Sequence, residues 1–167
     1  MGCHLDVYFD IDQNAIEEYI KSNNLDKMNR NNKEDYNKII HFCKTELIPD
    51  VDNHSYLFYE WDQKLGIHKL SSFYSVKFIR DDNRFTDKYH HKIFEKKHGI
   101  PFPDCLDWVL LRIHDKRDAL EVAENLEKYF PYDEDDENVD HSNYGLTHFV
   151  KWLKETAKYS LYYELDY

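Results

Sequence analysis

A hexapeptide occurs twice in this chain, as Leu57-Phe58-Tyr59-Glu60-Trp61-Asp62 and as Leu161-Tyr162-Tyr163-Glu164-Leu165-Asp166. Four of the six positions are identical, and the other two keep aromatic or large apolar side chains. Upstream of each copy lies a second echo, His41-Phe42-Cys43-Lys44 and His148-Phe149-Val150-Lys151, and further back a third, Ala15-Ile16-Glu17 and Ala119-Leu120-Glu121. The offsets are 104, 107 and 104 residues, a spread that a loop absorbs. Such self-similarity in constant order is read before any local signal, because it sets the architecture. It predicts an internal duplication.

The local patterns supply the repeat unit. Leu5, Val7, Phe9 and Ile11 alternate with His4, Asp6, Tyr8 and Asp10, the period of a strand with one buried face. Asp12 is placed to cap a helix carrying Ala15, Ile16, Tyr19 and Ile20, and Tyr36, Ile39, Ile40, Cys43 and Leu47 recur at helical spacing until Pro49. Tyr56 to Trp61 reads as a second strand and Leu70 to Ile79 as a third, joined in a hairpin by a turn containing Gly66. A shorter helix over 86–98, ended by Gly99, leads to a linker at Pro101 and Pro103.

The second copy opens with an expected strand, Trp108 to Ile113, whose Val109, Leu111 and Ile113 match Val7, Phe9 and Ile11. A helix with Ala119, Val122, Ala123, Leu126 and Phe130 follows and stops at Pro131. The acidic run 133–137 reads as a solvated loop. Leu146, Phe149, Val150 and Leu153 build another helix, and Leu161, Tyr163 and Leu165 alternate as a final strand.

The expected fold is therefore α+β: a single domain over 1–167 with a mostly antiparallel sheet and helices on one face. It consists of two β-α-α-β half-repeats related by approximate two-fold symmetry, 4–62 and 104–167, with an inserted strand and helix over 63–103.

Composition narrows the chemistry. Thirty-three acidic residues against 22 basic give a net charge of -11, which opposes direct nucleic-acid binding and favours basic partners. Three widely spaced cysteines, Cys3, Cys43 and Cys105, form no C-x-x-C pair, which fits reduced thiols in a cytoplasmic protein. No apolar run approaches membrane-spanning length. With four glycines there is no phosphate-cradling loop, and no G-x-S-x-G, P-loop or H-E-x-x-H occurs.

The repeated histidines invite a metal reading, but helical spacing sets His41 opposite Cys43 and His148 away from Phe149 and Val150, so both should face water. Glu60 is expected on the far side of the sheet from His41. His90, His91 and His98 lack the i, i+4 spacing of a zinc helix, and Lys88, Lys92 and Lys96 form a basic stripe suited to a solvated face or to self-association. No metal site and no cofactor are expected.

What remains is the outer face of the sheet. Strand alternation assigns to it Tyr8 and Asp10, then Phe58, Glu60 and Asp62, then Tyr162, Glu164 and Asp166, with Arg112 beside them. Aromatic residues interleaved with carboxylates suit a protein interface selective for a basic partner. The leading expectation is a small acidic cytosolic protein that docks on and inhibits a basic protein, a nuclease or another toxin or effector. Immunity proteins and nucleic-acid mimics act in that way. Two alternatives stand beside it. One is an enzyme with a small-molecule cleft between the half-repeats, near Asp12, His114, Asp115 and the pairs Tyr59-Glu60 and Tyr163-Glu164, and the other is a homodimer joined through the sheet face.

Overall fold

The computed structural model describes residues 3–53, 55–86, 92, 96, 110–132, 135–138 and 144–166. Alternation makes β1 (His4–Phe9) as expected, with Leu5, Val7 and Phe9 buried. Asp12 then caps α1 (Gln13–Ser22), its carboxylate accepting from the backbone N–H groups of Asn14 and Ala15 at 3.0 and 3.1 Å. Helix α1 turns Ile16 and Ile20 into the core. Asn32 caps α2 (Lys33–Phe42) by accepting from the N–H of Asp35.

Helix α2 runs on into a π turn, Cys43–Leu47, closed by the N–H of Ile48 on the carbonyl of Cys43 at 2.9 Å. The extra residue in the turn brings both Cys43 and Ile48 into the core, where each is fully buried. Burial pushes the Cys43 thiol up to about 12, so it is a packing group rather than a nucleophile.

The expected hairpin is formed by β2 (Leu57–Asp62) and β3 (Ile67–Ser75). Gly66 sits at φ 62°, which L side chains resist, and its N–H reaches the carbonyl of Asp62 at 2.8 Å. Strand β3 lies earlier than the sequence suggests: it ends at Ser75, and Val76–Arg80 form the short helix α3. Val76 and Ile79 are buried while Phe78 is exposed, a spacing of three rather than two. One further turn, α4 (Asn83–Thr86), follows. Lys92 and Lys96 are helical, and the rest of the helix expected over 86–98, with its histidine cluster, lies outside the described residues.

Further along the chain come α5 (Lys116–Tyr129), α6 (Tyr144–Ala157) and β4 (Ser160–Asp166). The chain is α+β with a four-stranded antiparallel sheet in the order β2-β3-β1-β4. The helical layer meets one face of this sheet. Trp152 of α6 donates to Ser72 at 3.1 Å, Thr156 and Tyr163 share a hydrogen bond at 2.8 Å, and Gln13 of α1 brackets the His68 backbone at 2.7 and 2.8 Å.

The strand expected at 108–113 is not there over its described part. Leu110 to Arg112 form a helical turn, with the N–H of Ile113 on the carbonyl of Leu110 at 3.0 Å. Leu110 and Ile113 are buried and Leu111 is half exposed, so the apolar residues answer to a turn of three. Arg112 consequently does not join the sheet. Among its described residues the second half has helix, helix, strand, and a two-fold repeat is not confirmed. The hexapeptides also differ in use: Leu57 is buried, whereas Leu161 is 59% exposed. The register between β1 and β4 slips between Tyr8 and Phe9, so that Tyr8 opposes Tyr162 and Phe9 opposes Ser160. Leu161 is the extra residue of that bulge.

One buried ion pair ties the helices together. Arg84 is 4% exposed and Asp82 fully buried; the guanidinium donates twice to the carboxylate, at 3.1 and 2.8 Å. It also reaches the carbonyl of Phe130, at the end of α5, at 2.8 Å and the hydroxyl of Thr147 at 3.1 Å. Asp82 in turn accepts from the N–H of Leu146 at 2.9 Å, serving the first turn of α6. Beside it Gly145 lets α6 settle on α3, since a Cβ there would lie 1.9 Å from the carbonyl oxygen of Phe78.

Two substitutions test this junction by chemical denaturation. Asp82→Ala leaves a buried guanidinium without its carboxylate and should cost about 3–5 kcal/mol. Gly145→Ala should cost ~1–3 kcal/mol through overpacking, with secondary structure retained.

Candidate functional site

The pairing register assembles the outer face row by row. Phe58 opposes Ser71, Ser71 opposes Tyr8, and Tyr8 opposes Tyr162, so one line crosses all four strands. A second row holds Phe73, Asp6 and Glu164, and a third Ser75, His4 and Asp166. Toward the hairpin turn, Glu60 opposes Lys69 and Asp62 opposes Ile67. With strands about 4.8 Å apart, the residues from β2 to β4 span roughly 14 Å.

Seven of the eight residues expected at a partner surface thus share one face, although they come from strands far apart in sequence. Asp10 is the eighth. It is exposed and lies just past the end of β1, its N–H on the carbonyl of Tyr159 at 2.8 Å.

Aromatic rings run along this face in two groups. Tyr8 and Tyr162 stack at 4.7 Å between ring centres. Phe73 gathers Phe58 at 5.4 Å, Tyr56 at 6.2 Å and His4 at 5.0 Å. Phe58 is 45% and Tyr162 42% exposed. Among them stand five carboxylates, Asp6, Glu60, Asp62, Glu164 and Asp166. Lys69 holds Asp62 at 2.9 Å and keeps that carboxyl below the usual range, and Arg30 reaches over to Glu60. Glu164 has no ion-pair partner among the described residues. Burial raises the Asp6 carboxyl; His4 opposes this, while Asp166 and Glu164 add to it.

His4 and Asp6 share the parity of Tyr8 and belong to the same face, although only Tyr8 and Asp10 of this stretch were expected there. Alternation alone sufficed to find them. Lys69, Ser71 and Phe73 were missed because β3 was expected three residues later and its place between β2 and β1 is a matter of topology.

His4 lies 3.4 Å from both Asp6 and Asp166, and the three donor atoms fall within 4.8 Å of one another. One imidazole and two carboxylates form a donor set that zinc or a similar divalent ion accepts. Protonated His4 bridging two acids satisfies the same geometry. The expected separation of His41 from Glu60 is met, since His41 and His148 are both exposed on their helices and Glu60 stands on the outer face.

A second constellation lies under the opposite face. The Tyr59 hydroxyl and His68 Nδ1 are 2.8 Å apart, and His68 Nε2 is 2.7 Å from Glu17, which also accepts from Lys27 at 2.8 Å. Lys27 sits 4.0 Å above the Trp61 ring. The order of groups resembles a proton relay, but Tyr59 is 6% exposed and burial pushes its hydroxyl well above the usual phenol range. The cavity that Tyr59 and Trp61 share holds about 40 Å³, little more than a water. These side chains form one hydrogen-bonded network that runs from the buried Tyr59 hydroxyl to the partly exposed Glu17 and Lys27. Asp12 and Asp115, considered for an enzyme cleft, are both helix caps, Asp115 accepting from the N–H of Asp118 at 2.9 Å.

Comparison with protein-family models, with curated proteins and with solved structures finds no match. The geometry of the chain itself is what bears on function.

Burial lowers the His68 imidazole below its ordinary 6.5, against the opposing pull of Glu17. The unfolded chain therefore takes up this proton more readily than the folded one. Stability from His68 is complete above 6.5 and is lost as pH falls through the lower folded value. Thermal melting followed from roughly pH 7 to 5 should show a falling melting temperature, and His68→Gln should flatten that slope.

Proposed function

We propose that this chain is a small acidic binding protein that docks on a basic protein through the outer face of its sheet and blocks it. The observation that supports this best is the face itself, where stacked, half-exposed aromatic rings alternate with five carboxylates in register across four strands. Tyr8, Phe58, Phe73 and Tyr162 offer large contact area at low entropic cost, since each has two side-chain torsions to fix. Asp6, Glu60, Asp62, Glu164 and Asp166 select the sign of the partner and speed the encounter. The net charge of -11 extends the same field beyond the face.

A basic nuclease, toxin or effector fits this surface; nucleic acid, which carries the same sign, does not. The same argument counts against a homodimer closed through this face. A two-fold contact would set carboxylates against carboxylates of the second copy, with Lys69, His4 and Arg30 to offset them among the described residues. Cys43 is a free thiol buried in the core, and no helix among the described residues is long and apolar enough to cross a membrane. Both features accord with a cytoplasmic home.

Affinity capture on the immobilised protein at low and high salt tests the reading. A basic protein should be retained at low salt and released as salt rises. The double reversal Glu164→Lys with Asp166→Lys, at exposed positions, should weaken retention by about tenfold or more while melting stays unchanged. Undiminished capture by that variant would remove the sheet face from consideration.

A further inference from the structure

Beside the sheet face a groove opens between the end of β3, helix α3, residues Asp52, Ser55 and Tyr56, and one side of α6, with a volume of about 470 Å³. That size lies within the range of small-molecule sites and exceeds what one protein side chain fills. Its walls are aromatic: Tyr56, Phe73, Tyr74, Phe78, Tyr144 and Trp152 all contribute. The polar ends of two are committed elsewhere, since the Tyr74 hydroxyl donates to the Gly145 carbonyl at 2.7 Å and the Trp152 indole to Ser72 at 3.1 Å. What these two give the groove is ring surface. Tyr56 is 72% and Phe78 58% exposed, although each keeps one ring contact, Tyr56 with Phe73 and Phe78 with Tyr74, both at 6.2 Å.

Among the described residues the charged groups of the lining are unbalanced. Asp52, Asp81 and Glu155 face a single lysine, Lys151, which lies 2.8 Å from Asp52 and 4.0 Å from Glu155; His148 stands on the same side of α6. An anion would meet surplus negative charge. A neutral apolar molecule would fill the space but draw nothing from the carboxylates. A cation gains from both, because aromatic faces attract ammonium groups through their quadrupoles and nearby carboxylates supply the countercharge.

We propose that this groove binds a small organic cation, an ammonium group carried on an apolar body. The site is argued separately from the sheet-face reading, though Tyr56, Phe73 and Ser75 border both surfaces, and nothing in it implies turnover of the ligand.

Choline and its uncharged isostere 3,3-dimethylbutan-1-ol make the decisive pair of probes. Titrated into the whole protein and followed by NMR of the aromatic side chains, choline should give saturable shifts at Tyr56, Phe73 and Phe78, and the alcohol should bind about tenfold more weakly. Phe78→Ala and Asp81→Lys alter exposed side chains and should each reduce choline affinity by about threefold to tenfold, with the melting temperature retained. Equal binding of the two probes would overturn the proposal in favour of a merely apolar hollow. So would absence of saturable shifts, or full affinity in both variants. Nα-acetyl-lysine amide binding more tightly than choline would assign the groove to a partner's lysine and overturn the small-molecule assignment.

Discussion

The carboxylate of Asp82 leaves water at the one point where α3, α4, the end of α5 and the start of α6 converge. An isolated charge in such a place is expensive, and its cost is offset here by an unusual number of fixed donors: three from Arg84, counting its backbone, and one from Leu146. Because every one of these bonds has a defined direction, the pair does more than neutralise itself. It sets where α6 begins and how closely it approaches α3, and the absence of a side chain at Gly145 permits that approach. Helix α6 then carries Trp152 onto β3 and Thr156 onto β4, so the orientation of a long helix over the sheet depends on a short polar turn.

A one-sided sheet follows from this packing. With the helices held against Leu5, Val7, Tyr59, Leu70 and Tyr163, strand alternation leaves the other parity pointing away. The same alternation that buries the core therefore decides which aromatic rings and carboxylates are presented. Their grouping is a product of strand order: Tyr8 meets Tyr162 because β4 pairs with β1, and Phe58 meets Phe73 because β3 lies inside β2.

Where one period dominated, the sequence was legible. β1, α1 with its Asp12 cap, α5 and α6 could be read from spacing, as could the parity of Phe58, Glu60, Tyr162 and Glu164. It misled where an apolar run was short. Leu110, Leu111 and Ile113 suit a strand by composition, but only a three-dimensional neighbourhood shows that the first and last are buried and the middle one is not. The duplicated hexapeptide was persuasive because both copies are strands with outward glutamates, yet the surrounding elements differ, and a bulge at Leu161 breaks the match. The Asp82–Arg84 pair and the network of Tyr59, His68 and Glu17 gave no signal at all, since polar residues in a turn or on a strand look solvated until packing removes the water.

Strand β1 sits inside the sheet, yet one of its two neighbours is β4, which pairs His4 with Asp166. Joining them closes a loop that spans nearly the whole described chain, and that ordering entropy must be met before the contacts return any stabilisation. The other half of the sheet needs only a tight hairpin. Assembly is thus expected to proceed from the β2–β3 corner outward, with the first-made strand waiting for the last. Until that late arrival, the carboxylates and rings of β4 are not yet ranked against those of β1, so the recognition surface is among the final parts of the molecule to come into being.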